Sequence, residues 1–193
     1  MCIRDRKDRE ETLQKVIDQT GASAMHPYND MDVIEGNSTA TMELLEDYPD
    51  LDAIFAPIGG GGLISGACLA AKYFSNAKVY GAEPEGADDA YRSFQKGEII
   101  PMVNPQTIAD GLRTSLGEIG FEIMKTHLDS IFTVSESEII SAMKWMWQKM
   151  KIIIEPSSAV PLAALIKNHE LFKDQQVGII ISGGNVDLDN LPF

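Results

Sequence analysis

The chain has 193 residues, of which 44% are hydrophobic and 23% charged, a composition typical of a globular domain with a full core. The 29 acidic and 16 basic residues give a net charge of −13, and an acidic surface repels phosphate backbones, so we expect no nucleic-acid partner. No apolar run approaches the roughly 20 residues of a membrane span, so we expect no membrane partner. The two cysteines, Cys2 and Cys68, favour the cytoplasm over a disulfide framework, and the three histidines lack the spacing of a zinc site.

The first six residues, MCIRDR, can be read as a translation of ATG TGT ATA AGA GAC AG, which resembles a transposase sequencing adapter. We interpret residues 1–6 as a sequencing scar that carries no information about the fold, and an unusual natural terminus is the alternative. On the first interpretation, the reading frame begins inside a gene and native sequence is missing before residue 7.

The predicted elements alternate between helices and short strands. Residues 7–18 have a helical pattern, residues 22–26 suit a short strand, and a helix is predicted to begin near residues 37–39. Further strands are predicted at 52–57, 78–82, 131–134 and 177–181, and helices at 63–74, 87–97, 121–127, 138–150 and 156–168. Ser135 and Glu138 form a capping box before one of these helices. The alternation predicts an α/β fold with a mainly parallel twisted sheet flanked by helices.

Four successive glycines follow the strand predicted at 52–57 and precede the next helix, which begins at Leu63. These glycines, called the glycine loop below, are Gly59, Gly60, Gly61 and Gly62. Without Cβ atoms, several backbone N–H groups can approach one point, and the helix N-terminus adds positive potential. The spacing matches neither a Walker A loop nor a dinucleotide-binding loop. We therefore predict that the glycine loop binds one phosphate group, and a flexible turn is the alternative.

Five motifs occur in the order typical of fold-type II pyridoxal-phosphate enzymes, and residues 20–193 resemble this family. The motifs are His26-Pro27-Tyr28 with Gly36 and Thr39, the glycine loop, and the segments 107–111 (TIADG), 155–159 (EPSSA) and 182–185 (SGGN). The resemblance is strongest to the branch of serine racemases and serine/threonine dehydratases. It implies the tryptophan synthase β-like fold, with residues 7–23 as a remnant of a small domain and residues 24–193 as an incomplete large domain.

The resemblance also implies pyridoxal 5′-phosphate as the cofactor. The glycine loop and Leu63 would hold the cofactor phosphate, Glu155 would line the cofactor ring, and the Ser182 hydroxyl would face the pyridine nitrogen. For Glu155 the alternative is a carboxylate that stabilises a helix N-terminus, and for Ser182 it is a capped strand end without a ligand. Because a serine carries no negative charge, we expect the ring to stay largely neutral, which favours β-elimination over transamination.

Two segments of the family have no counterpart in this sequence. One is the Ser-Phe-Lys segment, whose lysine forms the Schiff base with the cofactor, and the other is the Ser/Thr-Asn loop over the opposite face of the ring. We therefore predict that the chain holds no catalytic residue and is inactive by itself, and that a missing segment of roughly 100–150 residues supplies both. Tyr28 also stands where serine racemase places an asparagine, so that contact is not carried over.

The segment EPEGADD is a candidate site for a divalent cation. Glu83 and Asp89 supply carboxylates six residues apart, and the Ala87 carbonyl lies between them, which gives the hard oxygen ligands that Mg²⁺ or Ca²⁺ prefers. Taken alone, an acidic turn is more often a solvated surface. These three residues, however, resemble the cation ligands of serine racemase, and the resemblance implies a Mg²⁺ or Ca²⁺ site here.

The function implied by the resemblance is β-elimination of water from L-serine or L-threonine, followed by hydrolysis to a 2-oxo acid and ammonia. Serine racemization and elimination from threo-3-hydroxyaspartate are alternatives within the family. A non-catalytic module that binds a phosphorylated ligand is the alternative outside it. The expected partners are a small hydroxy amino acid and a second copy of the chain, since the completed enzyme is expected to be a homodimer.

Overall fold

The computed structural model describes residues 6–193, with side chains from residue 11 onward. The scar interpretation therefore concerns residues that, apart from Arg6, lie outside the described part of the chain. The helices are α1 (Arg6–Thr20), α2 (Met31–Asp47), α3 (Gly62–Phe74), α4 (Asp89–Lys96), α5 (Glu118–His127), α6 (Glu136–Met150) and α7 (Pro156–Lys167). The strands are β1 (Ala53–Pro57), β2 (Lys78–Pro84), β3 (Ser130–Val134) and β4 (Val177–Ile179). The division of the chain into two domains near residue 23 stays a prediction.

The four strands form one sheet in the order β3-β2-β1-β4, and every pairing is parallel. In this register, Phe55 of β1 lies opposite Tyr80 of β2 and Ile179 of β4. All five residues of the central strand β1 are buried, as expected of a strand covered on both faces. The predicted parallel α/β architecture is confirmed.

Successive residues of β1 point to opposite faces of the sheet, and each face packs against its own helices. Phe55 belongs to a core cluster with Met143 of α6 and Ala164 of α7. Ile54 belongs to a second cluster that includes Met124 of α5 and residues of α3. Because helices cover both faces, polar groups collect at the ends of the strands, where the connecting loops meet.

Two local predictions are wrong. Residues 22–26, predicted as a strand, form no regular secondary structure. Helix α2 begins at Met31 and not near residue 37, because the Asp30 side chain accepts a hydrogen bond from the Asp32 N–H and so caps the helix earlier. The capping box at Ser135, by contrast, is present as predicted.

Helix α2 continues through its glycine and polar residues because α3 packs closely against it. A Cβ atom on Gly66 of α3 would lie 2.7 Å from the Ser38 nitrogen and 2.8 Å from the Ile34 carbonyl oxygen. Tertiary packing thus overrides the low helix propensity of this segment. Within residues 6–193, no helix is both long enough and apolar enough to cross a membrane.

Candidate functional site

A pocket of about 280 Å³ opens where β1 runs into the glycine loop, and it is called the β1 pocket below. The residues predicted to contact the cofactor all line it: Gly59, Gly60, Gly61, Gly62, Leu63, Glu155 and Ser182. They come from three segments that are far apart in the sequence, and the parallel sheet brings these segments to one edge. The structure therefore assembles the predicted residues around one cavity, and their individual contacts stay a prediction.

The glycine loop has a backbone shape that leaves no room for side chains. Gly61 has a φ of +92°, in the left-handed region that other residues rarely adopt. A Cβ atom on Gly59 would lie 3.0 Å from the Gly111 carbonyl oxygen, and a Cβ atom on Gly60 would overlap the Tyr28 ring. Gly61 caps α3 without any side-chain hydrogen bond, so the N–H groups of the first helical turn stay open to an anion. This cradle fits a phosphate group.

Tyr28 covers the glycine loop, a contact that the sequence did not predict. The His26 ring packs edge-to-face against the Tyr28 ring, with 4.6 Å between the ring centroids. His26 Nδ1 accepts a hydrogen bond from the Asn29 N–H at 2.9 Å, and Asn29 Oδ1 accepts one from the Ile119 N–H at 3.0 Å. These contacts fix the turn before α2 to the N-terminus of α5 and hold Tyr28 over Gly60.

Glu155 contacts the turn that carries Ser182. Its Oε2 accepts a hydrogen bond from the Asn185 N–H at 2.9 Å, and its backbone N–H donates to the Gly183 carbonyl oxygen at 3.1 Å. Glu155 is the N-cap residue of α7, but its side chain makes no capping hydrogen bond. The carboxylate therefore shapes the wall of the β1 pocket and does not cap its own helix.

Ser182 contacts a second serine that sequence reasoning missed. Ser158 Oγ lies 3.0 Å from Ser182 Oγ, and it accepts a hydrogen bond from the Gly183 N–H at 2.7 Å. Ser158 Oγ also donates a hydrogen bond to the Gly183 carbonyl oxygen at 2.7 Å, and Ser158 is only 1% exposed. The available signal was a pair of serines in the first turn of the otherwise apolar helix α7.

Three further polar residues line the β1 pocket without having been predicted: Asn37, Thr114 and Ser157. Ser157 Oγ accepts a hydrogen bond from the Gly111 N–H at 3.2 Å and so fixes the loop beside the glycine loop. Thr114 Oγ1 is buried and has no hydrogen-bond partner among the described residues. A buried hydroxyl without a partner on a pocket wall is available to a ligand.

The three predicted cation ligands lie between the end of β2 and the start of α4. Glu83 and Asp89 are fully buried and Ala87 is 1% exposed, so the alternative of a solvated acidic surface is wrong for these two carboxylates. Glu83 accepts hydrogen bonds from two backbone N–H groups of α4, at 3.2 and 2.7 Å. Asp89 Oδ2 accepts one from the Leu116 N–H at 3.1 Å, whereas Oδ1 has no partner in the described part of the chain.

Burial raises the pKa of both carboxyls. Desolvation, followed by the negative charge of Asp89, raises the pKa of Glu83 well above its usual range. Desolvation raises the pKa of Asp89 from 3.8 to about 6. Two buried carboxyls with one unpaired oxygen fit a divalent cation, whose charge would compensate theirs. No group of three or more His, Cys, Asp or Glu side chains in the described chain could hold a metal ion, so further ligands would be neutral oxygens, among which the sequence predicts the Ala87 carbonyl.

The family model and the most similar relatives agree on the family of this chain. The model of the family "Pyridoxal-phosphate dependent enzyme" matches residues 2–183. The chain is 50% identical to a beta-hydroxyaspartate dehydratase of Paracoccus denitrificans, over 100% of this chain and 61% of that protein. It is 49% identical to a serine racemase of Dictyostelium discoideum, over 98% of this chain and 60% of that protein.

Solved structures give the same result for the fold. The crystal structure of the D. discoideum serine racemase matches with a TM-score of 0.89 and covers 97% of this chain and 61% of that one. The crystal structure of a T.th. threonine deaminase matches with a TM-score of 0.90 at 40% identity and covers 95% of this chain and 62% of that one. The chain thus spans about 60% of the length of these relatives.

Proposed function

Because the chain belongs to the family of pyridoxal-phosphate-dependent enzymes, we propose that it forms the cofactor-binding part of an ammonia-lyase that acts on L-serine or L-threonine. The β1 pocket carries this proposal, since the glycine loop, Glu155 and Ser182 line a single cavity. The products would be a 2-oxo acid and ammonia. When bound, pyridoxal phosphate supplies the electron sink for the carbon that loses its α-proton.

The predicted cofactor contacts of the β1 pocket, together with Tyr28, each have a role in this proposal. The N–H groups of the glycine loop and of Leu63 bind the cofactor phosphate, as a helix N-terminus favours an anion. Tyr28 keeps water from the outer side of the glycine loop. Glu155 holds the turn at 182–185, and the Ser182 hydroxyl donates a hydrogen bond to the pyridine nitrogen. The lysine that forms the Schiff base would come from a segment outside these 193 residues, so the chain alone would be inactive.

We also propose that Glu83, the Ala87 carbonyl and Asp89 bind Mg²⁺ or Ca²⁺. The unpaired Asp89 Oδ1 and the burial of both carboxyls support this, because a divalent cation would offset the cost of holding their negative charges away from water. The 83–89 segment connects β2 to α4, and Asp89 also accepts a hydrogen bond from the segment that leads into α5. A cation there would stabilise the fold next to the β1 pocket.

Elimination from threo-3-hydroxyaspartate is the second candidate function. It is favoured by the 50% identity with the P. denitrificans beta-hydroxyaspartate dehydratase and by 43% identity with an L-threo-3-hydroxyaspartate ammonia-lyase of Saccharomyces cerevisiae. Serine racemization, the activity for which several relatives are named, would use the same pocket.

A chimera distinguishes these functions. This chain, from residue 7 onward, replaces the segment that it matches in the P. denitrificans enzyme, whose other residues complete the protein. We expect the chimera to release a 2-oxo acid from L-serine or L-threonine, and Ser182→Ala to slow the release by about 2- to 12-fold, the worth of one hydrogen bond. Faster release from threo-3-hydroxyaspartate would favour the second candidate, and D-serine as the main product would favour racemization. A folded, cofactor-loaded chimera that converts none of the three substrates would contradict the proposal and favour a binding module.

A further inference from the structure

Asn37 is a polar residue of the β1 pocket to which the proposed function gives no role. It lies on α2 and lines the pocket beside the glycine loop. Its Nδ2 atom lies 3.3 Å from the position that a Cβ atom on Gly62 would take. Because Gly62 is the first residue of α3, the Asn37 amide stands at the N-terminus of the helix that would face the cofactor phosphate.

The amide group of Asn37 is unused within the described part of the chain. The next two residues of α2 bond to their own helix, since Ser38 Oγ donates to the Glu35 carbonyl oxygen at 2.6 Å and Thr39 Oγ1 to the Gly36 carbonyl oxygen at 2.7 Å. The Asn37 side chain makes no hydrogen bond to any described residue. Its two N–H donors are therefore available to a ligand in the β1 pocket.

The position of Asn37 is fixed by the packing of α2 against α3. A Cβ atom on Gly66 would lie 2.9 Å from the Asn37 carbonyl carbon and 2.7 Å from the Ser38 nitrogen, so the two backbones touch one turn after Gly62. A side chain that starts from two packed helices is held more precisely than one on a loop. The amide thus stays beside the glycine loop without a hydrogen bond of its own.

The charge of the β1 pocket gives this amide a purpose. A phosphate monoester carries close to two negative charges at neutral pH. No Lys, Arg or His is among the described residues that line the pocket, and its one charged side chain is the carboxylate of Glu155. Neutral N–H groups must therefore compensate the phosphate, and Asn37 is the one lining residue in the described chain whose side chain carries N–H groups.

We propose that Asn37 is a further phosphate-binding residue, whose Nδ2–H donates a hydrogen bond to a phosphate oxygen held by the glycine loop. This inference rests on the proposed function, in which the cofactor phosphate lies at that loop. The phosphate is then bound from two helices, by backbone N–H groups at the start of α3 and by a side chain of α2. Its affinity depends on the packing of these helices as well as on the glycines.

The test measures the dissociation constants of pyridoxine 5′-phosphate and of pyridoxine with the 193-residue chain. Asn37→Ala removes the donor and should weaken binding of the phosphorylated compound by about 10-fold or more, as expected of a hydrogen bond to a charged group. Binding of pyridoxine should stay parental, because this compound has no phosphate. Asn37→Asp has nearly the same shape but carries a negative charge, so it should weaken binding of the phosphorylated compound more than Asn37→Ala does.

Ser38→Ala is the matched control, because it removes a neighbouring side chain that bonds only to its own helix, and it should change neither constant. Parental binding of the phosphorylated compound by folded Asn37→Ala would overturn the inference. A merely structural role would weaken both compounds equally or give Asn37→Asp and Asn37→Ala the same affinity, and either result overturns it as well.

The remaining outcomes separate this inference from the proposed function. If thermal unfolding shows that Asn37→Ala does not fold, Asn37→Asp decides the test, and a parental preference for the phosphorylated compound in that variant overturns the inference. A parent chain that binds both compounds equally contradicts the proposed function itself. A parent chain that prefers the phosphorylated compound, with the same preference in both Asn37 variants, contradicts only this inference.

Discussion

Replacing Asp89 with asparagine removes the charge of a buried carboxyl while keeping its shape and an oxygen acceptor for the Leu116 N–H. In the folded chain without a cation, the pKa of Asp89 is raised from 3.8 to about 6. The stability linked to this group is therefore present below the unfolded pKa and is lost as the pH rises through about 6. Over the whole titration, the free energy of unfolding falls by about 3 kcal/mol. About half of this decrease occurs above pH 5.

The assay is thermal unfolding between pH 5 and 8 in the presence of a chelator. Between pH 5 and 8, the free energy of unfolding of Asp89→Asn should rise by about 1.5 kcal/mol relative to that of the parent. This corresponds to a relative increase in melting temperature of about 3–6 °C in a domain of this size. Glu85→Gln is the matched control, because it removes a half-exposed carboxylate from the same segment and should keep the parental profile. Mg²⁺ or Ca²⁺ should stabilise the parent at pH 7.5 but not Asp89→Asn. Parallel pH profiles for parent and Asp89→Asn would refute the reasoning.

Two further predictions concern the core. Burial, together with the charge of Asp129, raises the pKa of the Cys68 thiol to about 12. Iodoacetamide at pH 8 should therefore modify Cys68 only after denaturant is added, as peptide mass spectrometry can show. Modification of Cys68 in the folded chain would contradict this prediction. Phe172 packs edge-to-face on Phe55 with 4.9 Å between the centroids, so Phe172→Ala should lower the free energy of unfolding in urea by about 3–5 kcal/mol. The exposed neighbour Leu171 provides the control, since Leu171→Ala should change the free energy of unfolding by less than about 0.5 kcal/mol. Equal losses for the two substitutions would contradict the packing argument.

The sequence was sufficient where a short segment determines its own structure. Four glycines between an apolar strand and an apolar helix leave few shapes other than a tight strand-to-helix loop, and the structure forms that loop at the carboxyl end of β1. The capping box was equally predictable, because both of its hydrogen bonds join Ser135 to Glu138, three residues away.

The sequence was insufficient where distant residues decide the structure. Helix α2 continues through Gly36 because α3 packs against Ile34, Asn37 and Ser38 beside it, and local propensity does not contain that contact. Ser158 touches Ser182 across 24 residues, so its place beside the β1 pocket depends on the whole sheet. The complete burial of Glu83 and Asp89 is also a tertiary effect, since the same acidic segment on an open surface would be solvated.

The most direct test of the central claim compares the binding of pyridoxine 5′-phosphate and of pyridoxine, which lacks the phosphate, to the 193-residue chain. If the glycine loop holds the cofactor phosphate, the chain should bind the phosphorylated compound and bind pyridoxine far more weakly. Gly60→Ala should remove this preference, because its Cβ would overlap the Tyr28 ring, whereas Gly36→Ala, where a Cβ meets nothing within 4 Å, should keep it. Equal affinity for both compounds, or a Gly60→Ala chain that binds like the parent, would contradict the account.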